Sequence, residues 1–172
     1  MKELFTGARC PSLLLIDIKA AFPSVAWGWL WNVLDLMCCP EWLICAVRAL
    51  YLGSTAQLAA GGLRGLEICI TSGIKQGCPM SGSLWCIIFD PIIRALVELV
   101  KEMGCLSAFA DDIGISVGDI IRALLVLVPL LGPIEAATCL KLNWKKTCIV
   151  IFPNFPSFNL ITFPNFLFPQ IF

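Results

Sequence analysis

The apolar and polar positions of this chain follow the spacing of strands in some segments and of helices in others. Four consecutive apolar residues, 13–16, lead directly into Asp17. Such a continuous run predicts a strand that is covered on both faces. A carboxylate at the end of that strand would be costly to bury without a partner, so Asp17 is the first residue for which a function is sought.

Helices are predicted where apolar residues recur at intervals of three and four. Two short helices end at Pro40 and Gly53. A long helix follows, for which Ser81 or Ser83 is the candidate N-cap and Gly104 the stop signal. The predicted bounds are 27–37, 41–52, 81–103, 119–131 and, for a last short helix, 134–139.

Two hairpins and one further strand complete the predicted elements. The first hairpin turns at Gly61 and Gly62, and the second carries Asp111 and Asp112 at its tip. The predicted bounds are 55–71 for the first hairpin, 72–79 for a polar loop, 108–110 and 113–115 for the strands of the second hairpin, 141–146 for a basic turn and 147–152 for the last strand.

The composition changes sharply after Phe152. The last twenty residues are rich in Phe, Pro and Asn and carry no charge. Repeated prolines prevent both helices and strand ladders, so we predict one domain over 1–152 and an unstructured, low-complexity tail over 153–172. Translated non-coding sequence or a frameshifted end would explain such a tail, and the transcript across the junction would test that hypothesis.

The chain is more apolar than an ordinary domain of its size, with 59% hydrophobic and 14% charged residues. A membrane or missing protein surface must explain this excess. The best membrane candidate, 113–134, is interrupted by Asp119, Arg122 and two prolines, and its longest uncharged run is 123–134. A membrane-spanning helix needs about 20 apolar residues, so we predict a buried helix and no membrane association.

Charge, histidine and cysteine content narrow the function classes. Twelve basic residues balance twelve acidic ones, so no global field attracts a polyanion. The absence of histidine excludes nucleophilic sites that depend on imidazole. Ten cysteines without a C-x-x-C motif indicate reduced thiols in an intracellular protein, in the nucleus or the cytoplasm.

Three carboxylates are the strongest candidate for chemistry. Asp17 ends one strand, and Asp111 with Asp112 lies at a hairpin tip, so they meet if those strands are neighbours. Such a cluster is repulsive without cations. Mg²⁺ prefers oxygen ligands, and two ions about 3.5–4 Å apart are a general device for phosphoryl transfer.

Four segments resemble, in sequence order, motifs A, B, C and D of reverse transcriptases, and most closely those of non-LTR retrotransposons. They are 17–22 (DIKAAF), 73–81 (GIKQGCPMS), 109–112 (FADD) and 140–147 (LKLNWKKT). The resemblance implies an α/β (α+β) polymerase palm, with a small antiparallel sheet backed by helices. It also implies an RNA template, a DNA primer and deoxynucleoside triphosphates as partners.

The resemblance assigns a role to each matching residue. Asp17, Asp111 and Asp112 would bind two Mg²⁺ ions, for which Mn²⁺ could substitute. Lys146 would donate a proton to the pyrophosphate leaving group. The substrate-binding residues would be the backbone of Ile18, the aromatic gate Phe22 that excludes a ribose 2′-hydroxyl, the motif B loop residues Gln76 and Gly77, and Phe109 and Ala110 beside the carboxylates.

Each of these residues also has a structural interpretation. Phe22 could simply pack in a core, Gln76 could be an ordinary polar turn residue, and Lys145 with Lys146 could form a solvated basic turn. The chain also departs from the family pattern, because Phe109 stands where many relatives have Tyr and Pro23 where Asp is common. Neither departure removes a metal ligand.

Fingers and thumb segments are largely missing, so we expect a palm fragment with weak or no activity. Phosphate contacts supply much of the affinity for nucleic acid, and this chain offers few. Two alternatives stay open: a degenerate retroelement relic without catalysis, and a small membrane-associated protein.

Overall fold

The structure, a computed structural model, describes residues 10–152 and 159–162. Within these ranges the chain forms nine strands and five helices. The strands are β1 (Ser12–Ile16), β2 (Ile18–Lys19), β3 (Thr55–Ala60), β4 (Leu63–Cys69), β5 (Gly104–Phe109), β6 (Asp112–Val117), β7 (Lys141–Leu142), β8 (Cys148–Ile151) and β9 (Asn159–Thr162). The helices are α1 (Ala21–Ser24), α2 (Trp27–Leu36), α3 (Glu41–Tyr51), α4 (Ser81–Val100) and α5 (Ile120–Thr138).

The main sheet is antiparallel and has five strands in the order β5-β6-β1-β8-β9. β1 lies at its centre, where it pairs with β6 on one side and β8 on the other. Two small ladders accompany it, β2 with β7 and β3 with β4. The segment 141–142, which the sequence places in a turn, is therefore a short strand.

Helices cover one face of the main sheet. Leu14 and Ile16 of β1 belong to the same buried cluster as Ile88 and Phe89 of α4 and Leu127 of α5. The prediction that β1 is covered on both faces is wrong, because Leu15 points to the other face and is 40% exposed. The prediction of a small antiparallel sheet backed by helices is confirmed.

Helix α4 begins and ends differently from its prediction. Ser81 is its first helical residue and Met80 is its N-cap, without a capping side-chain hydrogen bond. The Ser81 hydroxyl donates instead to the carbonyl of Lys75, in the preceding loop. The helix ends at Val100, and Gly104 begins β5.

The prediction of two helices, 119–131 and 134–139, is wrong, because α5 is one continuous helix that contains both Pro129 and Pro133. Asp119 caps it by accepting hydrogen bonds from two backbone N–H groups. The carbonyls that lose their helical partners belong to residues 125 and 129, which are both exposed. Water can satisfy them there, so the helix tolerates its prolines.

Helix α5 is also long and apolar enough, by length and composition, to cross a membrane. Only one face of it is buried, through Ile120, Ala123, Leu127 and Thr138. The prediction of a buried helix therefore holds for that face alone.

Large apolar side chains are exposed at several places on the described surface. The excess of apolar residues in the composition thus lies partly at the surface, and not only in the core. The most exposed ones are Leu36, Trp42, Leu66, Phe109 and Leu125.

Strand β9 pairs with β8 and extends the main sheet at its edge. It lies in the segment 153–172, for which the sequence predicted no regular structure. The remaining residues of that segment lie outside the described part of the chain, so the proposed division at residue 152 stays a prediction.

Candidate active site

The register of the central strands brings the three candidate carboxylates to one edge of the sheet. β1 pairs with β6 so that Ile16 lies opposite Ile113. The next step of this register places Asp17 opposite Asp112, the first residue of β6. Asp111 precedes it in the two-residue turn after Phe109, which pairs with Asp112. The strand register therefore brings the backbone at Asp17 to the same edge of the sheet as the hairpin tip, and the shared metal site stays a prediction.

Two of these carboxylates border a cleft of 520 Å³, on the face of the sheet where the described part of the chain places no helix. Asp17 and Asp112 line the cleft, together with Phe109, whose side chain is 84% exposed. Asp111 is half-buried at the turn. The cleft thus combines carboxylates with an exposed aromatic surface, which suits a substrate with charged and flat parts.

Lys146 also lines this cleft and contacts Asp17. Its ammonium lies 3.7 Å from the Asp17 carboxylate, and the two side chains are 70% and 25% exposed. An ion pair this exposed stabilises the fold by less than about 1 kcal/mol. This ion pair therefore does little to fix the Lys146 side chain.

The loop that carries Lys146 holds the backbone of Asp17 on both sides. The Asp17 N–H donates to the Thr147 hydroxyl at 3.3 Å, and the Asp17 carbonyl accepts from the Asn143 N–H at 2.8 Å. Sequence reasoning missed both contacts. Asn143 and Thr147 lay inside the motif D match, but nothing in the sequence indicated that they contact Asp17.

Phe22 is not among the residues that line this cleft, and its ring packs in an aromatic stack. Its ring lies 4.9 Å from that of Trp85, with 18° between the planes. Trp85, in α4, also donates from its indole N–H to the carbonyl of Ala110 at 2.9 Å. Sequence reasoning missed Trp85, since a tryptophan on the apolar face of a helix indicates core packing first.

The motif B loop is anchored at its base and exposed at its tip. Ile74 N–H donates to the Phe22 carbonyl at 2.7 Å, and the Trp27 indole donates to the Gly73 carbonyl at 2.8 Å. Gln76 and Gly77 are both exposed. They therefore lie on a loop whose root contacts the segment after Asp17.

Ile18, one of the predicted substrate-binding residues, has a side chain that cannot face a substrate. It is buried in the core, and its backbone pairs with Leu142. Only its main chain could take part in binding, as the resemblance implies.

The oxygen donors of the three aspartates suit a hard divalent cation. Among the described residues, however, no three His, Cys, Asp or Glu side chains are grouped closely enough to hold a metal ion. The carboxylates thus share an edge but do not point at one centre. The donor chemistry fits Mg²⁺, and the side chains would have to turn towards each other to bind it.

Comparison with known proteins identifies relatives of this chain. The family model described as reverse transcriptase (RNA-dependent DNA polymerase) matches residues 2–160. A curated relative is the retrovirus-related Pol polyprotein from the type-2 retrotransposable element R2DM of Drosophila melanogaster, which is 28% identical over 103 residues. That match covers 57% of this chain and 10% of the polyprotein, so the chain spans a small part of that relative.

Solved structures share the fold at low sequence identity. Apo telomerase from Candida tropicalis, truncated from the C-terminal domain, superposes with a TM-score of 0.67 and 14% identity, covering 94% of this chain and 35% of that one. Telomerase from Candida tropicalis in complex with the TWJ fragment of telomeric RNA gives 0.69 and 12%, covering 90% and 28%. The fold is thus that of a polymerase palm.

Proposed function

The chain belongs to the reverse transcriptase (RNA-dependent DNA polymerase) family, and from this premise we propose that it adds deoxynucleotides to a primer 3′-hydroxyl on an RNA template. The observation that carries the proposal is the register of β1 against β6, which brings Asp17 beside Asp111 and Asp112. Carboxylates at one edge of a sheet are what nucleotidyl transfer with two metal ions requires. The retrotransposon relative supports a non-LTR element as the source of this function.

Asp17 and Asp111 are the proposed ligands of two Mg²⁺ ions, with Asp112 as an auxiliary carboxylate. Ions held there would supply activation of the primer 3′-hydroxyl and neutralisation of charge on the triphosphate. Asp17 already faces the open cleft. Its side chain would have to leave Lys146 and turn towards the hairpin tip, and the exposure of Lys146 supports such an exchange.

The remaining residues are proposed to bind the substrates and move a proton. Phe22 would reject ribonucleotides by steric exclusion, and the exposed loop with Gln76 and Gly77 would support the template base and the nucleotide. Phe109 and the backbone of Ile18 would contact the primer end and the triphosphate. Lys146, once away from Asp17, would protonate the pyrophosphate leaving group.

An intracellular site of action, in the nucleus or the cytoplasm, belongs to the same proposal. All ten cysteines are unpaired thiols, which supports a reducing compartment.

Primer extension on an RNA template with Mg²⁺ tests the proposed function. We expect weak incorporation by the 172-residue chain and none above background by Asp111→Asn, which keeps the size of the side chain but removes its charge. Asp35→Asn, on the exposed surface of α2, is the matched control and should extend like the unaltered chain. Equal incorporation by Asp111→Asn and the unaltered chain would remove the enzymatic claim.

A relic without catalysis is the second candidate function. The balanced charge of the chain and the lack of three grouped ligands among the described residues favour it. Mn²⁺ binding separates the two candidates without needing turnover. If the chain is a relic, the unaltered chain binds Mn²⁺ no more tightly than its Asp111→Asn variant. If the site is intact, the unaltered chain binds Mn²⁺ more tightly than that variant.

Membrane association is a third candidate, which the length and apolar composition of α5 favour. Against it, one face of α5 packs into the same core as the sheet. We expect carbonate extraction of expressing cells to release the chain from the membrane fraction. Retention in the carbonate-washed pellet would instead support insertion of α5 in the bilayer.

A further inference from the structure

Trp85 contacts two of the segments that form the proposed active site. It lies in α4, is 2% exposed, and its indole N–H donates to Ala110 in the hairpin that bears Asp111. Its ring stacks on Phe22 on one side and on Phe89 at 4.8 Å on another. One side chain therefore connects the candidate nucleotide gate to the candidate metal ligands.

The hydrogen bond from Trp85 holds the turn in an unfavourable backbone conformation. Ala110 has a φ of +53°, in the left-handed region that costs a residue with a Cβ more than it costs glycine. Its carbonyl accepts the Trp85 indole N–H at 2.9 Å. Since Ala110 directly precedes Asp111, this bond helps to fix the position of the Asp111 backbone, from which the carboxylate side chain extends.

The ring of Trp85 contacts the second segment, which contains Phe22. Phe22 is half-buried against the indole, and the Phe22 carbonyl accepts from Ile74 at the base of the motif B loop. A shift of the indole would move the Phe22 ring and disturb the contact with that loop. The ring and the N–H of Trp85 thus have separate tasks.

We propose that Trp85 is a positioning residue, whose N–H places the Asp111 turn and whose ring places Phe22. That the Asp111 turn and Phe22 serve catalysis rests on the proposed function. The positioning role goes beyond core packing, because a phenylalanine at this position would keep a stacking ring but could not donate to Ala110.

The chain offers a matched control for the loss of an indole hydrogen bond. Trp29, in α2, donates its N–H at 2.9 Å to the carbonyl of Ile88 in α4, and not to a residue of the hairpin. Trp29→Phe and Trp85→Phe therefore remove the same ring atoms and the same kind of bond. Trp85→Leu removes the stacking ring as well.

The test compares these variants of the full chain by hydrogen exchange and by Mn²⁺ binding. We expect Trp85→Phe to speed exchange in peptides covering 105–112 and to weaken Mn²⁺ binding by about fivefold, the usual net effect of one hydrogen bond. Trp29→Phe should change neither. Only Trp85→Leu should also speed exchange in peptides covering 19–25, around Phe22.

The outcomes separate this inference from the proposed function. If Trp85→Phe affects the hairpin peptides no more than Trp29→Phe does, the positioning role is overturned, whatever metal the chain binds. If the unaltered chain binds Mn²⁺ no better than Asp111→Asn, the proposed function fails. The exchange comparison needs no metal and still decides whether Trp85 holds the turn.

Discussion

Thr147 shows how a single buried hydroxyl stabilises the candidate site. It is almost fully buried, and its hydroxyl accepts the N–H of Asp17 at the point where β1 ends. A donor that loses such a partner is left unpaired in a partly buried place, which costs free energy. The Thr147 side chain thus stabilises the fold through its hydroxyl oxygen as well as through its packing.

We therefore expect Thr147→Val, which keeps the shape of the side chain, to lower the free energy of unfolding by about 1–2 kcal/mol. Urea denaturation measures this loss. Thr55→Val is the control, because the Thr55 hydroxyl bonds Glu67 on the exposed surface of the first hairpin, and it should change stability by less than about 0.5 kcal/mol. Equal losses in the two variants would show that the Asp17 contact does not stabilise the fold.

At the scale of elements, the loop between β4 and α4 depends on one glycine for its close approach to the chain after Asp17. A Cβ on Gly73 would lie 2.6 Å from the carbonyl oxygen of Pro23. Gly73 also has a φ of +88°, and its N–H donates to the carbonyl of Val25. The base of the motif B loop is therefore packed backbone against backbone.

Gly77 provides the comparison, since it has a φ of +83° but no atom within 4 Å of an added Cβ. We expect Gly77→Ala to cost about 1 kcal/mol, for the backbone conformation alone. Gly73→Ala adds a steric clash that neither backbone can avoid, so its loss should be at least about 2 kcal/mol. Thermal or urea denaturation measures both losses. Similar values would contradict the close packing of this loop.

At the scale of the whole molecule, balanced charge limits how the chain meets nucleic acid. The twelve basic residues are offset by twelve acidic ones, and affinity for a polyanion depends mainly on how many phosphates are neutralised. An exposed apolar surface adds little to this affinity. The palm therefore carries candidate carboxylates at one edge of its sheet but exerts little electrostatic attraction on a polyanion.

We expect the chain to bind an RNA–DNA hybrid more weakly than about 10⁻⁵ M at physiological salt, with a shallow dependence on salt concentration. Fluorescence anisotropy of a labelled hybrid at several salt concentrations measures both quantities. Lys145→Gln removes one basic residue of the turn beside the cleft, and it should lower the salt slope by at most about one unit. Submicromolar binding with a steep salt slope would contradict this expectation.

The sequence by itself determined the local elements and the order of the chemical motifs. The apolar run before Asp17 and the turn at Gly61 and Gly62 lie where they were predicted, and so does the second hairpin, although its turn holds only Asp111 while Asp112 begins β6. These features depend on residues close together in the chain, so spacing and turn chemistry reveal them. The motif strings added the family.

Only the tertiary structure decided which strands are neighbours and what surrounds the site. Asp17 and Thr147 are 130 positions apart, and Trp85 reaches Ala110 across 25 positions. Local patterns carry no information about such contacts, because they arise when separate segments pack on a common core. The same packing leaves one face of β1 open and lets α5 continue through its prolines. The candidate residues could therefore be named from the sequence, whereas their supports became visible only in the fold.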